Sequence, residues 1–565
     1  MLRRLLSVAC LVSVASCATA PARLAPPKRP PSRPVAAGGL PALTVLVSID
    51  QLRADMPGRL AARFGAGGFR RLYDEGVSFE AAHYAHSATE TAVGHATLAT
   101  GALPREHGIV GNEWSERGAR IYSVDDASEE LVGARGTGKS PVRLLVETVG
   151  DVLRREHPDA LVRSISAKER AAILMAGHGG VAYWLDDTSA SFISSRYYVE
   201  QLPTWVTHFA EEDPAERYRK QGWPLLHDES EYVAVDDRPF ERGCVLLGCA
   251  FPHAFRAESG ERFVHALKST PFGDELTVSF VETMLENEPL GRDATPDLLA
   301  LSLSSTDYVG HAFGPESREA EDNLLRLDRT LARLFALLDA RVGRGHYVLA
   351  LSSDHGACES PESLAAEGRD AGRVDPETLR AFVDAGLRAR FRVGVELVSD
   401  FVNPSLFLNE QRIAALSLDL REVEHAAVEL ASEVPGVHAA FARSDLIEGR
   451  APDHPFTQRI AQSTHPERSG HVYIVPKEHW LLATKPDPLT AMHGTPWPYD
   501  AHVPIVFVGT GAPAQRVARP VDPRDIAPTL ARLMRIATPR ASSGKELAEA
   551  LPPTADVRIA PAPLR

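Results

Sequence analysis

Two pairs of acidic and histidine side chains have the spacing expected of metal ligands. Asp307 and His311 are four residues apart, so one helical turn would project both side chains from the same face. Asp354 and His355 directly follow an apolar run, and Gly356 permits a tight turn that aims both side chains at one ion. Carboxylate oxygens and imidazole nitrogens together are ligands of zinc-like divalent ions.

Two further residues extend this set to six. Asp50 closes the apolar run 43–49, and His493 precedes a glycine late in the chain, as His355 does. Three aspartates and three histidines suit two divalent ions with mixed oxygen and nitrogen preference. The alternative, from residue types alone, is a set of separate salt bridges and buried core histidines.

A segment rich in hydroxyl groups, 86–101, contains what the sequence predicts to be the start of a helix. A helix N-terminus offers free backbone N–H groups and the positive end of the helix dipole, and both favour phosphate. Ser87, Thr89 and Thr91 are the candidate hydroxyl side chains. Taken without further information, each of them is better explained as an N-cap of the helix.

The elements that position these residues alternate along the chain. Short β-branched or leucine-rich runs end at the polar side chains, which is typical of buried parallel strands, and helical patterns lie between or after them. This order predicts an α/β sandwich with a central, mostly parallel sheet between helices, whose ligands gather beyond the carboxyl ends of the strands. The predicted strands are 43–49, 161–165, 298–303, 347–351 and 503–508, and the predicted helices are 144–154, 319–338 and 525–533.

Two long segments, about 175–290 and 360–485, interrupt this alternation. They are richer in irregular, aromatic and acidic sequence, and neither contains an internal repeat. We expect them to be insertions that form a cap on a catalytic domain spanning 42–565.

Several short motifs occur in an order that resembles the alkaline phosphatase superfamily, and within it the type I phosphodiesterase and nucleotide pyrophosphatase branch. The resemblance runs from about Asp50 to the segment that begins at Asp525. Lys168-Glu-Arg170, which follows the strand 161–165, is similar to the phosphate-irrepressible alkaline phosphatases of that branch, which are periplasmic phosphomonoesterases. The motifs are Ser-Ile-Asp50, Thr91-x-x-x-His95 with Thr100-Gly101, His107-Gly-Ile-x-Gly-Asn112, Ser305-Thr-Asp-Tyr-Val-Gly-His311, Ser353-Asp-His-Gly356 and His493-Gly.

The resemblance implies a role for each residue of the predicted two-metal site. Thr91 would be the nucleophile, because it lies four residues before His95, the spacing that the family uses, and this selects it over Thr89. Val93 stands where many relatives carry proline, a departure that removes no reacting atom. One zinc ion would be bound by Asp307, His311 and His493, and the other by Asp50, Asp354 and His355 together with Thr91.

Three further residues would bind the phosphoryl group. Asn112 is expected to donate hydrogen bonds to a non-bridging oxygen. Lys168 and Arg170, as alternate residues of an extended segment, would point to one face and meet the remaining oxygens of a dianionic group. Because a diester carries one charge fewer, this cationic pair favours phosphate monoesters, and a solvated charged turn is the alternative. The expected function is an alkaline phosphatase that acts through a phosphothreonine intermediate and two Zn²⁺ ions, or other divalent ions with similar ligands.

Other functions fit the sequence less well. A phosphodiesterase or nucleotide pyrophosphatase could use the same core, but relatives of that type lack the Lys168 and Arg170 pair. A sulfatase would carry a modified cysteine or serine in a Cys-x-Pro-x-Arg context, which is absent here. A non-catalytic lipoprotein that binds metal or phosphate would be expected to have lost the nucleophile or a ligand, and all seven metal-contacting residues are present.

The charge balance bears on the partners of the protein. The 61 lysine and arginine residues face 75 aspartate and glutamate residues, a net charge of -14 that argues against an extended nucleic-acid-binding surface. Small phosphate esters are still compatible with this charge, because a cleft can have its own local field.

The N-terminal residues resemble an export signal. Arg3 and Arg4 precede an apolar run, 5–14, and then Val14-Ala-Ser-Cys17, which resembles the lipobox of bacterial lipoproteins. We expect a signal peptide at 1–16, a lipid anchor on Cys17, a proline-rich tether at 17–41, and a periplasmic or outer-membrane-anchored location. Ordinary cleavage near Ala20 is the alternative. No later stretch has the length and apolarity of a membrane-spanning helix.

The remaining cysteines allow one bridge. Cys244 and Cys249 are close enough in sequence to pair in an oxidising compartment, although both could equally be small buried hydrophobic residues. Cys358 would then be unpaired.

Overall fold

The computed structural model describes residues 39–257, 259–483 and 489–553, without the side chain of Cys244. The predicted signal peptide, the lipid-anchor residue Cys17 and nearly all of the predicted tether therefore lie outside the described residues. Within the described part, no helix combines the length and the apolar character needed to cross a membrane.

Eighteen strands occur in the described part of the chain and are numbered in chain order. They are β1 (Leu43–Ile49), β2 (Val77–Ala82), β3 (Glu113–Glu116), β4 (Ala119–Tyr122), β5 (Leu131–Val132), β6 (Val162–Ser166), β7 (Val181–Leu185), β8 (Phe192–Ser195), β9 (Asp297–Leu303), β10 (Tyr347–Ser352), β11 (Gly372–Val374), β12 (Val398–Val402), β13 (Ser405–Leu408), β14 (Val437–Ala442), β15 (Val472–Pro476), β16 (Trp480–Leu482), β17 (Ile505–Val508) and β18 (Gln515–Val521).

The α-helices of the described residues are numbered in the same way. They are α1 (Met56–Arg59), α2 (Phe69–Glu75), α3 (Thr91–Thr100), α4 (Pro104–His107), α5 (Val149–Glu156), α6 (Glu169–Ala176), α7 (Thr204–Glu211), α8 (Glu216–Gln221), α9 (Cys244–Leu247), α10 (Gly260–Lys268), α11 (Phe272–Asn287), α12 (Ser305–Phe313), α13 (Arg318–Leu338), α14 (Pro361–Ala366), α15 (Pro376–Phe391), α16 (Glu410–Ala415), α17 (Leu420–Ser432), α18 (Arg443–Glu448), α19 (Thr457–Ser463), α20 (Pro498–Ala501) and α21 (Ile526–Met534).

One large sheet organises the molecule, with ten strands in the order β18-β2-β17-β10-β1-β9-β6-β7-β8-β5. Its five central strands, from β10 to β7, are mutually parallel. Every residue of β1, β9 and β10 is buried, which is why their sequences are largely apolar rather than alternating. The predicted α/β fold with a mostly parallel sheet is confirmed.

Both faces of this sheet are covered by apolar helices. Val45 and Val47 of β1 belong to a core that includes Phe280 of α11, whereas Leu46, which points the opposite way, packs in a second core with Leu530 of α21. The alternation of side chains along a strand thus serves two cores at once, and the sheet is held rigidly between helical layers.

The strand predicted at 503–508 is present, but its predicted parallel direction is wrong. It forms β17, which runs antiparallel to both β10 and β2. His493 and α20, which precede β17 in the chain, lie at the edge of the sheet where the parallel strands end. The chain therefore enters β17 from that edge. A strand that starts there has to run opposite to its parallel neighbours.

The two segments expected to be cap insertions differ in structure. Within 175–290, β7 and β8 extend the main sheet. Segment 360–485 contains a second sheet in the order β12-β13-β15-β14, with its own apolar core between this sheet and helices such as α15 and α17. Their function as a cap stays a prediction.

Candidate active site

The register of the central strands brings their carboxyl ends level. Ile49 pairs with Leu303, and Ser48 pairs with Ser352, so β1, β9 and β10 end at the same edge of the sheet. The residues that follow these strands, Asp50, Asp307 and Asp354, therefore come together although they are hundreds of positions apart in sequence.

Asp307, His311 and His493 form the first ligand group. Asp307 and His311 lie on α12, as the four-residue spacing predicts, and His311 Nε2 is 3.1 Å from Asp307 Oδ1. His493 approaches from the segment before α20, and its Nε2 lies 3.5 Å from the same oxygen. Candidate ligand atoms of these three residues lie within 4.8 Å of one another, a geometry that suits a single ion.

Asp50, Asp354 and His355 meet beside this group. The Nε2 atom of His355 is 3.5 Å from Asp50 Oδ1 and 3.4 Å from Asp354 Oδ2. One candidate ligand atom from each of Asp50, Asp307 and His355 also lies within 4.8 Å of the others, so Asp307 lies between the two predicted metal positions. The structure thus brings all six predicted ligands together.

The donor set fits divalent cations. His311, His493 and His355 each hydrogen-bond a backbone carbonyl through Nδ1, at 2.7, 2.8 and 2.9 Å respectively. A carbonyl only accepts, so Nδ1 carries the proton and Nε2 keeps a free lone pair. His355 Nε2 and Asp50 Oδ1 are buried and have no hydrogen-bond partner among the described residues. Burial, with the carboxylates of Asp307 and Asp354, raises the pKa of Asp50, and this outweighs the lowering effect of Lys168.

Thr91 is the first residue of α3 and is buried at the edge of this cluster. Its Oγ1 lies 3.3 Å from Lys168 Nζ and 3.5 Å from Arg170 Nη2. The other candidate hydroxyls are engaged elsewhere: Thr89 donates to the carbonyl of Thr495, and Ser87 donates to Ser463. The N-cap of α3 is Glu90, without a side-chain capping bond, so no hydroxyl of this segment has the N-cap role.

Lys168 and Arg170 do not lie on an extended segment, and that prediction is wrong. Lys168 is the N-cap of α6, and Arg170 is in the first turn of this helix. Both still reach Thr91, because α6 begins at the same edge of the sheet, directly after β6. Lys168 Nζ also contacts Asp50 Oδ2 at 2.6 Å and Asp307 Oδ2 at 2.5 Å. Burial acts to lower the pKa of Lys168, but these two carboxylates outweigh it and hold the pKa above its ordinary value.

Asn112 is held in one orientation. Its Oδ1 accepts the backbone N–H of Ala92 at 2.9 Å, so its Nδ2 is the group left to donate. The backbone N–H of Asn112 donates to Glu90 Oε2 at 2.8 Å. Glu90 is largely buried, and burial raises its pKa to about 7.

Two residues that contact the site were not identified from the sequence. Tyr122, at the end of β4, accepts a hydrogen bond from Arg170 Nη1 at 3.1 Å and donates to Glu169. No motif marks it, because its strand lies far from the predicted strand ends. Gln51 donates to Asp307 and Asp354, and its position directly after Asp50 was the available signal. His95 hydrogen-bonds the carbonyl of Thr91 within α3, at 2.8 Å.

The cysteines are only partly described. Cys249 is disulfide-bonded, whereas the side chain of Cys244 lies outside the described residues, so their pairing stays a prediction. Cys358 is a free and buried thiol.

The chain is similar to known proteins along most of its length. The family model described as type I phosphodiesterase / nucleotide pyrophosphatase matches residues 44–497. The chain is 35% identical over 525 residues to alkaline phosphatase PhoV of Synechococcus elongatus, covering 90% of this chain and 93% of that protein. It is 33% identical over 524 residues to alkaline phosphatase PafA of Elizabethkingia meningoseptica, covering 90% and 94%.

Two further similarities are as extensive. A protein of Myroides odoratus named calcium-transporting ATPase is 36% identical over 524 residues, covering 90% of this chain and 95% of that protein. The crystal structure of wild-type PafA superposes with a TM-score of 0.85 at 31% identity, covering 91% of this chain and 99% of that chain.

Proposed function

Because the chain belongs to the type I phosphodiesterase/nucleotide pyrophosphatase family, we propose that it is a two-metal alkaline phosphatase that hydrolyses phosphate monoesters. One observation carries the choice of substrate: Lys168 Nζ and Arg170 Nη2 converge on Thr91 Oγ1, at 3.3 and 3.5 Å. A phosphoryl group at Thr91 would meet two cations there, and a dianionic monoester gains more from them than a monoanionic diester.

The residues of the site have separate tasks in this reaction. Thr91 Oγ1 attacks phosphorus while the P–O bond to the ester alcohol breaks, and in net balance the threonine proton leaves with that alcohol. Water then hydrolyses the phosphothreonine, which releases phosphate and restores the Thr91 hydroxyl. Asn112 donates from Nδ2 to a non-bridging oxygen, while Lys168 and Arg170 balance the charge of the others. Asp307, His311 and His493 would hold one divalent ion, and Asp50, Asp354 and His355 the other. Zinc ions bound there would supply Lewis acidity that favours the threonine alkoxide and the leaving oxygen.

Hydrolysis of phosphodiesters or nucleotides on the same core is the second candidate, and the family itself supports it. Both activities would use the same ligands and the same nucleophile. They differ in what lies next to the non-bridging oxygens, where the buried Lys168 and the partly buried Arg170 favour the monoester.

The test compares kcat/KM for p-nitrophenyl phosphate and bis-p-nitrophenyl phosphate on zinc-loaded protein. We expect the wild type to prefer the monoester strongly, and Lys168→Ala with Arg170→Ala to lose mainly that activity. Lys220→Ala is the matched control, because its side chain is 74% exposed on α8. A preference for the diester that the double substitution leaves unchanged would assign the protein to the phosphodiesterases.

A separate experiment addresses the covalent intermediate. Acid quenching during turnover should trap a phosphate on the peptide that contains Thr91, detected by mass spectrometry. Thr91→Ser should keep a measurable fraction of the activity and shift the phosphate to serine, whereas Thr91→Ala should lose both. A phosphopeptide at Thr89 or Ser87 would show that another hydroxyl reacts.

Zinc occupancy is measured on the same protein. Atomic emission spectroscopy should find two zinc ions per chain, and removal with a chelator should abolish hydrolysis until a divalent ion is returned. Manganese or cobalt that restores more activity than zinc would change the identity of the ion and leave the ligand set unchanged.

We further propose that the protein is exported and anchored by lipid on Cys17, which rests on Arg3, Arg4 and the sequence Val14-Ala-Ser-Cys17. Mass spectrometry of the mature N-terminus should find an acylated Cys17, and Cys17→Ser should release the protein from membranes. An unmodified N-terminus near Ala20 would support ordinary cleavage instead.

A further inference from the structure

Gln51 has a backbone conformation that glutamine rarely adopts. Its φ is +66°, in the left-handed region, and the residue is completely buried directly after Asp50. Its side-chain Oε1 is also buried, without a hydrogen-bond partner among the described residues. A positive φ and an unsatisfied buried oxygen both destabilise the folded state, so glutamine at this position is not explained by stability.

Its two hydrogen bonds lead to both predicted metal positions. The backbone N–H of Gln51 donates to Asp354 Oδ1 at 3.1 Å, and its side-chain Nε2 donates to Asp307 Oδ1 at 2.8 Å. Asp354 belongs to one ligand group and Asp307 to the other. A single residue therefore orients one carboxylate of each group, and the left-handed conformation is what lets its N–H and its side chain serve both.

Gly310 on α12 provides the room for this side chain. A Cβ atom at position 310 would lie 1.9 Å from Gln51 Oε1, and the next two atoms it would meet, at 3.1 and 3.6 Å, also belong to the Gln51 amide. Glycine at position 310 thus leaves space for the Gln51 amide beside Asp307.

We propose that Gln51 is a positioning residue that fixes the relative placement of the two metal sites, and that Gly310 makes this possible. The inference rests on the proposed two-metal function. Residues that do not bind the metal themselves can orient a ligating carboxylate by donating a hydrogen bond to it. Removal of such a residue typically weakens metal binding about 10- to 100-fold. Here Gln51 contacts a carboxylate of each ligand group. Its loss should therefore change the orientation of both carboxylates and the distance between the two metal sites.

The first experiment separates the amide from backbone strain. Gln51→Ala and Gln51→Gly both remove the amide, but glycine adopts a positive φ without strain. Zinc affinity is measured by chelator competition, and thermal unfolding is followed without metal. We expect both variants to bind at least one zinc about 10- to 100-fold more weakly than the wild type, while Gln51→Gly unfolds at the higher temperature of the two. Wild-type zinc affinity in Gln51→Gly would overturn the proposal.

The second experiment is a double-mutant cycle with position 310. Gly310→Ala in the wild type should displace the Gln51 amide and weaken zinc binding about as much as removing it. In the Gln51→Gly background, the same alanine has no side chain to collide with and should cause no further loss. Equal losses in both backgrounds would mean that Gly310 acts through something other than Gln51, and would contradict the proposal.

The proposed function and the proposed role of Gln51 can be contradicted separately. If the wild type binds no divalent ion and hydrolyses no ester, the proposed function itself is wrong. If the wild type binds two ions and hydrolyses monoesters, but Gln51→Gly matches it in zinc affinity, the function stands and the role of Gln51 does not.

Discussion

The side-chain oxygen of Asn112 accepts a hydrogen bond from the backbone N–H of Ala92, at 2.9 Å, one residue after Thr91. This bond ties the Asn112 amide to the first turn of α3. It also settles which end of the amide is available, because the oxygen is engaged and the nitrogen is not.

We therefore expect Asn112→Asp to reduce kcat/KM for a monoester more than Asn112→Ala. Alanine removes one donor, which typically costs about 100- to 1000-fold where the donor contacts a developing charge. Aspartate can keep the bond to Ala92, but its second oxygen would face the phosphoryl anion. Steady-state kinetics on zinc-loaded protein measure both variants.

The matched control is Asn409→Ala. Asn409 caps α16 through the backbone N–H of Arg412, at 3.0 Å, so its loss should lower stability by about 1 kcal/mol and leave the kinetics unchanged. Equal activities of Asn112→Ala and the wild type would remove Asn112 from the site.

Tyr122 is expected to act through Arg170. Because it accepts a hydrogen bond from Arg170 Nη1, Tyr122→Phe should lower kcat/KM for the monoester about 5-fold, the equivalent of roughly 1 kcal/mol for one hydrogen bond. The activity towards a diester should change less, because that substrate depends less on the guanidinium group.

Tyr198→Phe is the control for this change. Tyr198 donates to the carbonyls of Ile173 and Gly177 near the other end of the same helix, α6. It should affect stability without changing the ratio of monoester to diester hydrolysis. A similar ratio in the two phenylalanine variants would argue against a role of Tyr122 in positioning Arg170.

Gly94 lets α3 pack closely against the segment that carries Asp354. A Cβ atom at position 94 would lie 2.2 Å from the backbone oxygen of Asp354. We expect Gly94→Ala to destabilise the fold by about 1–3 kcal/mol and to lower kcat, because Thr91 and Asp354 would move apart. Denaturant unfolding and steady-state kinetics check the two effects.

Gly58→Ala serves as the comparison, because a Cβ atom at that helical position meets nothing within 4 Å. It should be neutral or slightly stabilising. Unchanged stability and kcat in Gly94→Ala would mean that α3 tolerates a shift away from Asp354.

The buried carboxyl group of Asp274 should make the free energy of unfolding depend on pH. It lies on α11, accepts the backbone N–H of Ser305 at 3.0 Å, and burial raises its pKa to about 7. Between its ordinary pKa and about pH 7, the folded state holds a proton that the unfolded state has released. The contribution of this group to stability is therefore present at low pH and is lost as the pH rises through that window.

The corresponding experiment is urea unfolding of the wild type and Asp274→Asn at several pH values from 4 to 8. The stability of the wild type relative to the variant should decrease as the pH rises and should level off above about pH 7. A difference that stays constant across this range would show that Asp274 does not titrate there.

The sequence alone was sufficient to predict the central strands and the candidate metal ligands that follow them. The buried strands β1, β9 and β10 are largely apolar, and a candidate ligand follows each of them within four residues, so both the central sheet and the edge that carries the site follow from the pattern. Asp307 and His311 share a face because four residues make about one helical turn. The family resemblance then assigned Thr91 over Thr89, which residue types could not do.

Tertiary structure decided what depends on contacts between distant segments. Whether Lys168 and Arg170 reach Thr91 depends on where α6 begins relative to α3, and their own spacing suggested a different backbone. The orientation of Asn112 and the direction of β17 follow from partners far along the chain or across the sheet. Gln51 connects Asp307 and Asp354, 256 and 303 residues away. Such relations arise only when packing brings the strand ends together, because no periodicity in the sequence encodes them.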